Sequence, residues 1–196
     1  VGFNDARTAD VMRQALSSPN DRLREVAYGF FEQHPIRSLS ADLLAALDKE
    51  QDEFVRPALV RALAAEAAAV PDDAAVRQAL VRDVGRGQDF FRSVVIEALG
   101  DYKADSAFDA VDAVAKLDGP LQGDAALALG KMGDRRALET LAGLQRTAPR
   151  EEQPTVAAAI CLLGINCSSH ETYLVEALKF ADKNDGFQEL LRAAAA

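Results

Sequence analysis

The chain has no tryptophan, and only 6% of its 196 residues are aromatic. A thick globular centre built on large rings is therefore excluded. The hydrophobic 49% is mostly Ala, Leu and Val, which suit thin, closely packed helical layers. No apolar run approaches the roughly 18–20 residues that span a bilayer, and no charged-then-apolar leader opens the chain. Basic residues are in deficit: 22 Lys and Arg stand against 31 Asp and Glu, a net charge of −9 spread over both halves without a basic stripe. Such a field repels phosphate backbones and anionic headgroups at long range, so nucleic-acid and membrane-surface partners are disfavoured and the acidic excess serves solubility. Cysteine is scarce as well. Cys161 and Cys167 stand six apart, which is neither a CxxC redox pair nor a zinc quartet. They are expected to be free thiols of a cytoplasmic protein, with a local disulfide as the alternative if a removed leader sent the chain to the periplasm or outside the cell. The chain begins at Val1 and ends in Ala193 to Ala196, which is compatible with its being part of a larger polypeptide.

What the chain does have is a period. Stacking Asn20, Asp52, Gln88, Asp118 and Glu152 aligns a helix-sized segment five times, at spacings of 32, 36, 30 and 34 residues. Three positions on sit Leu23, Val55, Phe91, Leu121 and Thr155, and at the far end Phe31, Leu63, Leu99, Leu129 and Leu163. A period in that range with helical patterning is the mark of stacked helical hairpins, none of which can bury its apolar face alone. The expected fold is all-α: an α-solenoid of about six hairpins, near 5–34, 38–70, 72–103, 105–133, 135–166 and 168–196, forming one continuous domain over residues 1–196.

Local signals fill in the helices. Asn20, Asp52 and Asp118, with Gln88 and Glu152 as weaker versions, are expected to cap the second helix of each hairpin. Pro120 and Pro154 suit the first helical turn, where a missing N–H has no intrahelical partner to lose. Gly100, Gly130 and Gly164, each right after a Leu, are expected to close the same helices in the left-handed conformation. Shorter first helices are expected over 8–17, 40–48, 73–84, 106–117, 135–147 and 169–181, with a sixth second helix from Phe187. Pro57, five past Asp52, should kink or delay its helix.

Counting from the cap, positions 3, 7, 8, 10 and 11 are apolar in nearly every copy and trace one broad helical stripe. Positions 1, 2, 5 and 9 lie opposite and are expected to be exposed, carrying Arg22, Glu25, Phe54, Arg61, Phe90, Ser93, Glu97 and Gly123. Position 4 holds Arg24, Arg56 and Arg92, each three after an acid, Asp21, Glu53 and Asp89. An arginine beside the stripe can lay its stem over the core while its planar head bridges to an acid in the next unit. A structural ladder is the expectation, and a ligand-gripping basic row is the rival.

The strings DRLREVAYGFF, EFVRPALVRAL, DFFRSVVIEALGDYKAD and PLQGDAALALGKMGDRRALETL resemble HEAT repeats, in particular the short HEAT-like units named for phycobilin lyases. The resemblance covers almost the whole chain. It implies second helices along a concave side and first helices along a convex one, which makes Arg22, Glu25, Phe54, Arg61, Phe90, Ser93 and Glu97 the candidate binding residues. It implies little about activity, because such units occur in adaptors, assembly factors, lyase subunits and a few enzymes.

Enzyme constellations are not evident. A HEAT-like di-iron hydroxylase would need paired His-Glu dipeptides in both halves, whereas only His170-Glu171 occurs and His34 is isolated. A HEAT-like DNA glycosylase would need Trp and a basic groove. No nucleophile elbow, phosphate loop or dinucleotide motif appears, and Arg135 and Arg136 beside Asp134 read as a solvated turn. The expected function is a non-enzymatic scaffold or adaptor that binds a protein or peptide, without metal or cofactor; the alternative is a phycobilin-lyase-type subunit that assists chromophore attachment. The register itself is testable. Leu129→Ala should cost about 2–5 kcal/mol in a thermal or denaturant melt, against a few tenths for a change on the opposite face.

Overall fold

The computed structural model describes residues 6–70 and 73–181. Among these residues there is no strand, and eleven α-helices follow one another: α1 Ala6–Ala15, α2 Asp21–Gln33, α3 Ser40–Lys49, α4 Arg56–Ala69, α5 Ala74–Val84, α6 Asp89–Asp101, α7 Phe108–Ala115, α8 Gln122–Met132, α9 Ala137–Thr147, α10 Gln153–Leu162 and α11 Cys167–Ala181. Single 3₁₀ turns, Arg37–Leu39 and Asp105–Ala107, lead into α3 and α7. The helix expected from Phe187 lies outside the described residues. No helix among those described is long and apolar enough to cross a membrane.

Helix starts obey capping chemistry where backbone donors are free to use it. Asn20 Oδ1 accepts from the N–H groups of Arg22 and Leu23 at the head of α2, and Asp73 Oδ1 from Val76 at the head of α5. Asp118 does not cap α8, and Asp52 caps only the turn that leads into α4. Asp52 Oδ1 accepts from Phe54 and Val55, but Pro57 has no N–H to give the carbonyl four residues back, so α4 starts only at Arg56 with Pro57 in its first turn. Pro57 thus delays the helix. Gly119 and Pro120 likewise form a turn, and α8 starts at Gln122 after an N-cap Leu121 that makes no side-chain capping bond.

By its packing the chain falls into two compact units, Val1–Ala98 and Leu99–Ala196, and α6 straddles the division. Each unit stacks hairpin on hairpin in the manner of an α-solenoid. In the first, α2 packs along α4, with α1 against α2 and both α3 and α5 against α4. In the second, α8 packs along α10 and against α7, while α9 and α11 cover α10. In each unit the far-end column lies in the core: Phe31 and Leu63 in the first and Leu99 and Leu129 in the second are at most 1% exposed. Two stripe positions escape it, Leu23 and Leu162, both about half exposed.

Gly100 and Gly130 do not close helices. They lie inside α6 and α8, where their role is close approach: a Cβ on Gly100 would sit 2.8 Å from Ala128 Cα, and one on Gly130 only 2.6 Å from Ala159 Cα. Helix ends fall to Gly133, φ +79°, after α8 and Gly164, φ +72°, after α10. The opposite face also differs between units. Gly123 is buried rather than exposed, as are Leu127, Pro154 and Ala157 in the same columns, so α8 and α10 are enclosed nearly all round.

The free-thiol expectation is also overturned. Cys161 and Cys167 are disulfide-bonded, with Cα atoms 4.5 Å apart. Left-handed Gly164 and Asn166 reverse the chain so tightly that α11 begins at Cys167 itself, beside the last turn of α10.

The two uses of glycine separate experimentally. Gly130→Ala should destabilise the chain by about 1–3 kcal/mol, because α8 and α10 must move apart. A Cβ added to Gly143 in α9 would meet nothing within 4 Å, so Gly143→Ala should stabilise by roughly 0.4–1 kcal/mol. Chemical denaturation of both variants reads the difference directly.

Candidate binding face

The last carbonyls of any helix lack intrahelical donors. Here the second helix of a hairpin supplies them from a long polar side chain. Arg24 Nη1 donates to Ser18 O just past α1 at 3.0 Å, Arg92 Nε to Val84 O of α5 at 2.9 Å, and Gln122 Nε2 to Ala115 O and Leu117 O after α7 at 3.2 and 3.1 Å. Those three residues share column 4. In the fifth copy, where Val156 occupies that column, Gln153 does the same for Ala148 O at 2.7 Å.

The arginines then reach further. Arg24 pairs with Asp21 at 2.8 Å and grips Glu50 of the next hairpin through two bonds of 2.7 and 2.9 Å. Burial alone would raise the Glu50 carboxyl, but the bonds from Arg24 and from the Asp52 amide outweigh it and hold the group below its ordinary 4.5. The hydrogen bond to Glu50 in turn lifts the Arg24 guanidinium above its usual range. Burial pushes the neighbouring Tyr28 phenol up to about 12.

Arg92 pairs with Asp89 at 2.9 Å. Arg56 departs from the pattern, because the delayed start of α4 leaves Glu53 exposed in the turn. Its guanidinium lies 3.9 Å over the Phe91 ring and 4.0 Å from the carboxylate of Asp83, which is 1% exposed. Asp83 is held on its other oxygen by Arg82 at 2.8 Å. Sequence reasoning missed Glu50 and Asp83 as partners, although a signal existed. Both acids sit at the C-terminal end of a first helix, where the helix dipole disfavours negative charge unless a cation answers it.

The seven candidate residues all lie in the first unit. Arg22 and Glu25 are exposed on α2, and Glu97 on α6. Arg61 on α4 is half-buried and bonded to Glu32 of α2 at 2.9 Å, and Ser93 on α6 is half-buried. Phe54, in the turn entering α4, is 76% exposed, and Phe90, in the first turn of α6, is 56% exposed. Their chain neighbours Val55 and Phe91 are buried, and the Arg56–Phe91 contact ties the two segments together.

A separate open groove of about 720 Å³ runs between α1 and α3. Arg13, Arg24 and Lys49 line it beside Asp42, Glu50 and Asp52, a balanced set that selects neither sign of ligand. In the second unit, Arg136 lies 4.0 Å over the Phe108 ring and bonds Asp134 at 2.8 Å, so its charge is spent within the turn and not held open for a phosphate. Among the described residues no group of three or more His, Cys, Asp or Glu is placed to hold a metal ion.

No protein-family model matches the chain, and no curated protein matches it significantly.

The Arg24–Glu50 pair makes a pH prediction. Because Glu50 is held below its ordinary value when folded, its stabilisation is full above about pH 4.5 and is lost as the pH falls through that range and below. Glu50→Gln should lower stability at pH 7 and flatten the acid limb of a melting-temperature profile between about pH 5 and 3. Arg24→Met, which strands Glu50, should cost roughly 2–4 kcal/mol at pH 7.

Proposed function

We propose that this chain is a HEAT-like scaffold that carries no chemistry of its own and binds a protein or peptide through the face formed by α2, α4 and α6 of its first unit. The observation that carries the reading is the pair Phe54 and Phe90, 76% and 56% exposed on segments whose backbones are fixed from beneath. Exposed aromatics rimmed by charged residues are what protein interfaces favour, and such anchors supply most of the binding energy where they occur. The contrast with the second unit supports it. There the same columns hold Gly123, Leu127, Pro154 and Ala157, all buried, and the exposed Gly119 and Pro120 offer no aromatic anchor. The net charge of −9 weighs against nucleic acid and anionic membranes as partners. The Cys161–Cys167 disulfide favours an oxidising compartment over the cytoplasm.

The test is affinity capture from source-cell extract with the natural chain and with Phe54→Ala plus Phe90→Ala. The natural chain should retain a defined protein or peptide, and the double variant should lose it with an unchanged far-UV circular dichroism spectrum. Equal retention by both would remove the face from consideration, and loss of helical signal in the variant would make the rings structural.

A further inference from the structure

Building on that binding reading, we infer that the face receives an arginine side chain of its partner at Glu53 and Phe54. The chain supplies the template twice over. Arg56 lies 3.9 Å over the Phe91 ring with the Asp83 carboxylate 4.0 Å away. Arg136 lies 4.0 Å over the Phe108 ring and 3.5 Å from Asp109, the residue that follows the ring in sequence. In both cases one planar guanidinium meets an aromatic face and a carboxylate together, an arrangement that its flat, delocalised charge suits and an ammonium does not.

Glu53 and Phe54 offer the same two groups without the arginine. Phe108 and Asp109 open α7, and Glu53 and Phe54 stand in the turn that opens α4, so both pairs sit at the entry of a helix. Glu53 is exposed and has no ion-pair partner among the described residues, because Arg56 has turned to Asp83 and Phe91. The Phe54 ring is 76% exposed. Asp89 and Phe90 repeat the dipeptide at the head of α6, but Asp89 already pairs with Arg92 at 2.9 Å, which leaves Phe54 as the principal seat and Phe90 as a second ring. Glu97, two turns along α6 on the side of Phe90, and Glu25 on α2 are also exposed and without an ion-pair partner among the described residues. Arg22 on α2 and Arg86 before α6 are exposed as well, so over these positions three carboxylates stand against two guanidinium groups, an acidic excess of one. It matches a cationic segment and opposes a second copy of this chain, which carries −9 itself.

The probe is a capped ten-residue peptide of Arg, Leu and Gly with a single Trp, compared with the same peptide carrying citrulline, neutral and nearly isosteric, at each arginine. Because the chain has no Trp, the fluorescence reports the peptide alone. Saturable binding should weaken at least tenfold with citrulline, roughly two- to fivefold with Phe54→Leu, which keeps the apolar bulk but removes the ring, and by a similar factor with Glu53→Gln. Equal binding of the two peptides, or indifference to both substitutions, would overturn the arginine seat. If the citrulline peptide still binds and is lost with Phe54→Ala plus Phe90→Ala, the face is an apolar dock and only the arginine inference falls. If sedimentation equilibrium finds a dimer that Phe54→Leu dissolves, the occupant is a second copy and the inference of a separate partner is overturned.

Discussion

Backbone approach between successive second helices is the constraint on which the rest of the second unit depends. Where Gly100 meets Ala128 and Gly130 meets Ala159 there is no room for an additional carbon, so α8 is enclosed by neighbours nearly all round. Helices that close cannot be separated by large rings. The absence of Trp and the wealth of Ala follow from this, because the packing energy comes from many short contacts between near-touching surfaces and not from a few large side chains. In the first unit the stack is filled with larger side chains. Tyr28 and Phe31 of α2 and Leu59 and Leu63 of α4 are fully buried, and larger side chains along that stack leave more of the polar and charged groups to fix its geometry.

Those groups solve a problem of ends. A hairpin with a short turn leaves the last carbonyls of its first helix beside the start of the second, and a buried orphan carbonyl costs about as much as a lost hydrogen bond. Arg24, Arg92, Gln122 and Gln153 each answer one such end. Arginine does more than glutamine because its remaining donors can hold an acid as well, and Glu50 shows how: it stands at the end of α3, where it would be unfavourable without Arg24. The arrangement at Asp83 is less complete. One of its oxygens and Arg56 Nε are buried without a hydrogen-bond partner, so Arg56 is held by the Phe91 ring and by charge and not by a closed set of bonds.

The period and the far-end column were legible in the sequence because they rest on repetition, and repetition averages out local noise. Five copies agree on where Phe31, Leu63, Leu99, Leu129 and Leu163 belong. Helix boundaries were less legible because each depends on one or two residues with more than one use. Asp52 is a good capping residue, yet Pro57 withholds the donor that would continue its helix. Gly100 and Gly130 follow a Leu as a closing glycine does, yet they serve close contact, and no single-sequence pattern separates the two roles without knowledge of what lies across the interface. The column of arginines was visible, as were the acids three residues before Arg24 and Arg92, but Glu50 and Asp83 were not, since they belong to no column. The disulfide stood only as the alternative, because a first helix expected from residue 169 left Cys167 in a loop and not beside the last turn of α10. Exposure of Phe54 and Phe90 was readable from helical spacing; the burial of Gly123 was not, because it depends on what packs against α8.

Exposing two phenylalanines is unfavourable in water, and their backbones are nonetheless firmly placed. Asp52 Oδ1 accepts the Phe54 N–H at 2.8 Å, and the next residue, Val55, is 3% exposed. Phe90 precedes Phe91, which is pinned beneath Arg56. Each ring therefore moves only about its own two side-chain torsions, and little conformational freedom remains to be lost when something covers it. The same ion pair that departs from the ladder explains why the acid beside Phe54 has no ion-pair partner among the described residues: with Arg56 drawn inward by Asp83 and Phe91, Glu53 is left outside. The interior of the stack and the character of its open face are thus set by one choice of partner.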